Sequence, residues 1–333
     1  MSVRRVEPSL SMADPLAAFV PLPFHHVLFP YGFPVHIKAT DPAVIRASEL
    51  CWGGTKARFR ENPIELRFLI TEGSTRRRQP AIPQFRAQSN LLVMVADRNN
   101  FACCDLSSGL GSAFLSKAAV THASYFRFHF LEAMAYTLLD TRHLVTVHAA
   151  CLEYEGRGFL LVGDSGAGKS TLAYACARRG WTYLTDDASA LVRRRKSRVV
   201  LGNPRTFRFR PSISTLFPEF SGPARLRNGK PTIEVTVENL GTIRTAHECE
   251  IDFVLFLNRA NSGVSDPYVE RILPENALPR LFQQVWPPEL PIHQERLETV
   301  ENLLDAQLYN FFYEDLDQAI DLLQQLSRRG IPA

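Results

Sequence analysis

The sequence predicts an α/β fold built around a phosphate-binding loop and preceded by a smaller α+β module. Three observations carry this. The segment "GDSGAGKS", Gly163 to Ser170, follows the apolar run "FLLV" and opens the helical pattern "STLAYACARR", which is the strand, glycine-rich turn and helix of a phosphate cradle. A second short apolar stretch, "WTYLTDD", then ends in the neighbouring carboxylates Asp186 and Asp187. The residues ahead of this region form short strand-like runs and one well-capped helix, with no motif to which chemistry can be assigned.

At 333 residues the chain is long enough for one large domain or two. Two are expected: a flexible terminus over 1–20, an α+β module over 21–140, and the phosphate-loop domain over 141–333. Apolar residues at 45% and charged residues at 22% are ordinary globular values. The 38 Lys and Arg against 34 Asp and Glu leave a formal charge of +4, which argues against nucleic acid as a partner without a clustered patch. The one dense run, "RRRKSR" at Arg193 to Arg198, lies between "SALV" and "VVLG" and is expected as a solvated hairpin turn. Six cysteines without Cys-x-x-Cys spacing are expected as free thiols. Arg4 and Arg5 are followed by no apolar signal core, and no run of about 18 apolar residues occurs. A soluble cytoplasmic protein with no membrane partner is the expectation.

Taken in order, "MSVRRVEPSLSM" lacks periodicity and is expected to be loosely ordered. "DPAVIRASELCW" has Asp41 as N-cap and Pro42 at the first helical position, while "ELRFLI" and "NLLVMVA" read as strands. "YFRFHFLEAMAYTLLD", Tyr125 to Asp140, predicts a helix with a broad apolar stripe, in which His129 is a packed core residue. "LVTVHAACLEY" and "FLLVG" then flank "EGRG" as a tight hairpin. Further strands are expected at "FRFR", "TIEVTV", "IDFVLFLN" and "LYNFFY", a loop at "VWPPELP", and a final amphipathic helix at "EDLDQAIDLLQQLSRR" ended by Gly330.

The chemistry concentrates in the loop. Backbone amides of Gly163, Asp164, Ser165, Gly166, Ala167, Gly168, Lys169 and Ser170, with the dipole of the helix that follows, suit nucleotide phosphates. Lys169 would reach the β- and γ-phosphates and Ser170 would ligate Mg²⁺. The helix ends at Gly180, and the "WTYLTDD" strand, as a parallel neighbour of the loop strand, would bring Asp186 and Asp187 beside the phosphates. One carboxylate would hold metal and the other would orient or deprotonate a hydroxyl. His148, fifteen positions before Gly163 on the preceding hairpin strand, is either a buried hydrogen-bonded residue or part of the site.

This arrangement of a His-bearing strand, glycine turn, "GDSGAGKS", helix and "DD" resembles the HPr kinase/phosphorylase family, over about Val147 to Ala188 and more loosely beyond. The resemblance implies a P-loop kinase core of the HPr kinase/phosphoenolpyruvate carboxykinase type. It implies ATP and Mg²⁺ as cofactors, and a serine hydroxyl of a protein or peptide as acceptor. Carried over by position, Gly163 to Thr171 bind the nucleotide phosphates, His148 assists on the acceptor side, Ser170 and Asp186 serve the metal, and Asp186 and Asp187 share the metal and base roles, with their division left open. HPr kinases assemble into hexamers, so a homo-oligomer is also implied. The later Glu-x-Arg-Gly-x-Gly segment of that family is absent, with "NPRTFRFRPSISTLFPE" in its place. Phosphorolysis of phosphoserine is therefore not implied. In this divergent region Arg205, Arg208 and Arg210 alternate on a strand, so that Arg208 and Arg210 share a face, and Arg208 is the candidate to neutralise the transferring phosphoryl group. Lys230 in "NGKP" is a weaker candidate. Two other functions compete: a nucleotide-sensing module without turnover, and a small-metabolite P-loop kinase, against which the long segment before Gly163 argues.

Overall fold

In the computed structural model, residues 20–72, 79–227, 230–259, 266–286 and 294–329 are described. The expectations for "MSVRRVEPSLSM", for "PPELP" and for Gly330 lie outside these residues. The chain is a mixed α/β protein with several sheets and divides into two compact units, Met1–Arg142 and His143–Ala333.

In the first unit the short apolar runs form one seven-stranded sheet. Its strands are β1 (Phe24–Leu28), β2 (Val35–Ala39), β3 (Ile64–Thr71), β4 (Gln84–Gln88), β5 (Leu91–Asp97), β6 (Asn100–Asp105) and β7 (Leu110–Ser116), in the order β1-β2-β3-β7-β6-β5-β4. Helix α1 (Pro42–Trp52) begins as its sequence requires, with the Asp41 carboxylate accepting from the Ala43 amide at 2.8 Å. After β7 come α2 (Lys117–Thr121), α3 (Ala123–Phe126), a π-helical stretch Arg127–Glu132 and α4 (Ala133–Arg142). The helix expected over Tyr125 to Asp140 is present, with the wider turn in its middle. His129 sits in that turn between the rings of Tyr125 and Phe128, at 5.0 and 4.8 Å between centroids, and is buried.

The second unit begins with β8 (Leu144–Val147), β9 (Ala149–Tyr154), β10 (Arg157–Val162), α5 (Lys169–Arg178), β11 (Thr182–Thr185), β12 (Ser189–Val192) and β13 (Val199–Leu201). A small sheet follows from β14 (Thr206–Phe209), β15 (Arg225–Arg227) and β16 (Lys230–Thr236), in the order β14-β16-β15. The chain continues through β17 (Arg244–Thr245), β18 (Glu248–Asn258), β19 (Tyr268–Arg271), α6 (Pro274–Phe282), β20 (Val285–Trp286), α7 (Gln294–Glu301), β21 (Gln307–Phe312) and α8 (Leu316–Arg329).

The long strand β18 organises the main sheet. It pairs with β10 in parallel on one side; on the other its first residues pair with β13 antiparallel and its last with β21 in parallel. Both faces are covered, which is why these strands read as continuous apolar runs. Phe159 and Leu161 of β10 pack with α5 and α8, whereas Leu160 and Val162 pack with Ala277, Leu281 and Val300 from α6 and α7. Strands β10, β18 and β21 run the same way, so their carboxyl ends share one edge, the edge at which open α/β sheets bind ligands.

The "RRRKSR" turn joins β12 to β13 as expected, yet it is not simply solvated. Arg193 and Arg194 both pair with Glu295, Arg193 being largely buried, and Arg198 pairs with Glu250. All six cysteines are free, and no helix among the described residues is long and apolar enough to cross a membrane.

Burial lowers the His129 pKa from 6.5 to about 4. The folded state thus favours the neutral ring, and stability present above pH 6.5 is lost as the pH falls toward 4, by about 3 kcal/mol at most. His129→Gln is expected to flatten denaturation midpoints of the protein across this interval; an unchanged slope would place the acid sensitivity elsewhere.

Candidate active site

Strand β10 runs directly into the loop at Gly163, and the loop ends where Gly168 caps α5. Gly166 and Gly168 have φ of +99° and +98°, a left-handed conformation in which a side chain would be strained. Lys169 is buried and turns back over the loop, its ammonium donating to the carbonyl oxygens of Gly163 and of Asp164, the latter at 3.2 Å. Burial lowers its pKa to about 8, against the pull of Asp187, Asp164 and Asp186. The Asp164 carboxylate accepts from Gln284 Nε2 at 3.3 Å.

Strand β11 is parallel to β10 but is not its neighbour. The antiparallel strand β9 lies between them, because the β9–β10 hairpin forms before the chain crosses through α5. The carboxyl ends of β10 and β11 still meet at one edge, and Asp186 follows β11 directly. Asp186 is buried, at 2% exposure. Its carboxylate accepts the Arg208 amide proton at 2.8 Å, and Ser170, the second residue of α5, is near enough to help hold its pKa down. The other oxygen lies 3.3 Å from Tyr183 Oη, while Tyr183 donates to the Thr206 carbonyl at 2.7 Å. A phenol has one proton, so the longer contact is best satisfied when the carboxyl itself carries a hydrogen. Burial and the charge of Asp187 raise the Asp186 pKa, opposed by Arg208 and Ser170.

His148 is not within a strand, contrary to expectation. It occupies the break between β8 and β9, where the chain leaves the β12 partner for the β10 and β11 partners. Asp186 to Ala188 make the matching break between β11 and β12. Because Val147 pairs with Ser189, the two breaks lie side by side. His148 Nδ1 is 2.9 Å from Asp187 Oδ1, and Arg208 approaches the other carboxylate oxygen at 3.7 Å. Burial pushes the Asp187 pKa upward, but the bond to His148 and the charges of Arg208 and Lys169 outweigh it and hold it below the usual carboxylate value. The sequence left the division between the aspartates open; the structure gives them opposite environments.

The small sheet lies beside this edge. Arg208 on β14 sends its amide to Asp186 and its guanidinium to Asp187 and, at 3.3 Å, to Glu234. Arg210 lies just beyond the end of β14 and contacts Ser165 Oγ at 3.1 Å, which Lys230 also approaches at 3.4 Å. Arg205 precedes the strand, so only two of the three alternating arginines reach the site. The sequence reading missed Gln284, Arg280, Arg259 and Tyr313. Arg280, which stacks over Phe256 at 4.0 Å, and Gln284 come from α6 and the turn after it, and no local signal marks them. Arg259 and Tyr313 both lie against Gly168, and Arg259, at the end of the "IDFVLFLN" strand, is at a position that the strand-end rule could have flagged.

No protein-family model matches the chain, and no curated protein matches it. Among solved structures, the HPr(Ser) kinase/phosphatase from Coxiella burnetii is similar at 17% identity, over 55% of this chain and 93% of that chain, with a TM-score of 0.29. At that identity and TM-score the likeness fixes neither the fold nor the activity of this chain.

Among the described residues no group of three or more His, Cys, Asp and Glu could hold a metal ion. Ser170 and Asp186 are nevertheless a pair of neighbouring hard oxygen donors, of the kind Mg²⁺ takes when phosphates and water complete its shell.

Asp186→Asn tests the buried carboxylate. The amide oxygen can accept from Arg208 N–H and the amide nitrogen can donate to Tyr183 Oη, and the buried charge is removed. A raised carboxyl pKa means that stability is lost as the pH rises through it. Without metal at pH 8 the variant is therefore expected to exceed the wild type by about 1–3 kcal/mol, with the gap closing toward pH 4. Denaturant titration in EDTA reads this, and a less stable variant at pH 8 would show that the site stabilises the anion.

Proposed function

We propose that the second unit is an ATP- and Mg²⁺-dependent kinase with a P-loop core of the HPr kinase type, transferring the γ-phosphoryl group to a serine hydroxyl of a protein or peptide. One observation carries the reading. The loop that ends in Lys169 and Ser170 has a buried carboxylate, Asp186, beside it, and the next carboxylate in the chain is kept ionised by an imidazole at 2.9 Å and a guanidinium at 3.7 Å.

In this reading the loop amides from Gly163 to Gly168 and the amino end of α5 bind the β- and γ-phosphates, and Lys169 exchanges its loop carbonyls for phosphate oxygens. Ser170 and Asp186 hold Mg²⁺, which when bound neutralises phosphate charge. Asp187 receives the acceptor hydroxyl, fixed in place by His148. The oxygen of that hydroxyl bonds to the γ-phosphorus as the bond to the β,γ-bridging oxygen breaks. The electron pair of the broken bond stays on ADP, and the hydroxyl proton passes to Asp187. A carboxylate of depressed pKa is a weak base, which suits a loose transition state in which positioning matters more than prior deprotonation. Serine as the acceptor residue follows from the resemblance of the motif arrangement.

The test is transfer of label from γ-³²P-ATP with Mg²⁺ to fractions of a host-cell lysate. Label on a specific protein or peptide is expected, lost with Lys169→Ala and reduced about 10²-fold or more in kcat with Asp187→Asn, while KM for ATP stays within about threefold because Asp187 faces the acceptor. Transfer that persists in both variants would refute the assignment. ATP binding without transfer to any fraction would make the unit a nucleotide sensor instead.

A further inference from the structure

Two cations meet at the rim of the loop without a carboxylate between them. Arg210 Nη2 and Lys230 Nζ both donate to the hydroxyl oxygen of Ser165, at 3.1 and 3.4 Å. A serine hydroxyl accepts two hydrogen bonds and donates one. Both acceptor positions are thus taken by positive groups, and the hydroxyl proton is left to donate outward. Neither Arg210 nor Lys230 makes an ion pair among the described residues, whereas their neighbour Arg208 is engaged by Asp187 and Glu234. Two like charges brought to one neutral oxygen repel each other, and a dianion placed among the three donors would relieve this.

The placement says which dianion. Ser165 is the third residue of the loop, whose amides open toward phosphate. The strand that delivers Arg210 also sends the Arg208 amide to Asp186, two residues earlier. Lys230 begins β16, the strand paired to β14, so one small sheet carries both cations and anchors the carboxylate.

We infer that Arg210, Lys230 and the Ser165 hydroxyl form the recognition site for the terminal phosphoryl group of the nucleotide, the group that is transferred. This inference rests on the kinase reading above. It gives Arg210 and Lys230 the catalytic contact, and it makes Arg208, which the sequence singled out, a positioning residue that acts through Asp186 and Asp187. The site distinguishes a triphosphate from a diphosphate, because only the former reaches the pair.

Calorimetric titration with AMP-PNP and with ADP, both with Mg²⁺, tests it without requiring turnover. The wild type is expected to bind AMP-PNP about tenfold or more tighter than ADP. Arg210→Met and Lys230→Met should each weaken AMP-PNP about tenfold and change ADP by less than about threefold, with Lys230→Arg keeping most of the preference. In the transfer assay the double variant should lose about 10³-fold in kcat, with thermal melting matching the wild type. An AMP-PNP preference that survives in both variants, or equal weakening of the two nucleotides, would overturn the inference and leave the kinase reading standing. A wild type that binds neither nucleotide would overturn both.

Discussion

The structure turns on two carboxylates placed next to each other at a sheet edge, one of them cut off from water. Two adjacent anions in such a place repel, and a buried one lacks hydration. The fold answers with unlike surroundings. Asp186 is enclosed beside Tyr183 and the Arg208 backbone amide, and burial together with the charge of Asp187 pushes it toward its neutral form. Asp187 faces His148 and Arg208 and is held as an anion. A pair of titratable groups driven apart in this way is the common basis for dividing roles within one site.

That separation needs the sheet to break twice at one level. His148 and Asp187 both sit where a strand changes partners, and the Val147–Ser189 register brings the breaks together. Strands β10 and β18 are buried on both faces and approach so closely that a Cβ on Gly158 would lie 2.0 Å from the Glu250 carbonyl. Only glycine fits there, and the resulting parallel pair fixes where the glycine-rich loop starts.

The small β14–β16–β15 sheet is the second support. Phe207 and Phe209 turn one of its faces into the core, with Phe207 stacked on Tyr183 at 3.9 Å, and the opposite side presents Arg208. The aromatic packing sets the height of β14 above the loop, and with it the approach of the Arg208 amide to Asp186 and of Arg210 to Ser165. A core contact thereby becomes a determinant of electrostatics at the rim.

The residues by themselves determined what is local: the Asp41 cap, the β9–β10 hairpin, the glycine-rich turn between strand and helix, the final amphipathic helix, and Asp186 and Asp187 at the end of a strand. Each depends on backbone preferences or periodicity that extend over a few residues. What only the tertiary structure decided was strand adjacency and side-chain pairing. The insertion of β9 between β10 and β11, the meeting of His148 with Asp187 across 39 positions, and the convergence of Arg210 and Lys230 on Ser165 join segments distant in the chain. Arg280 and Gln284 belong with these. Such contacts leave no period in the sequence, because they follow from how whole faces bury one another.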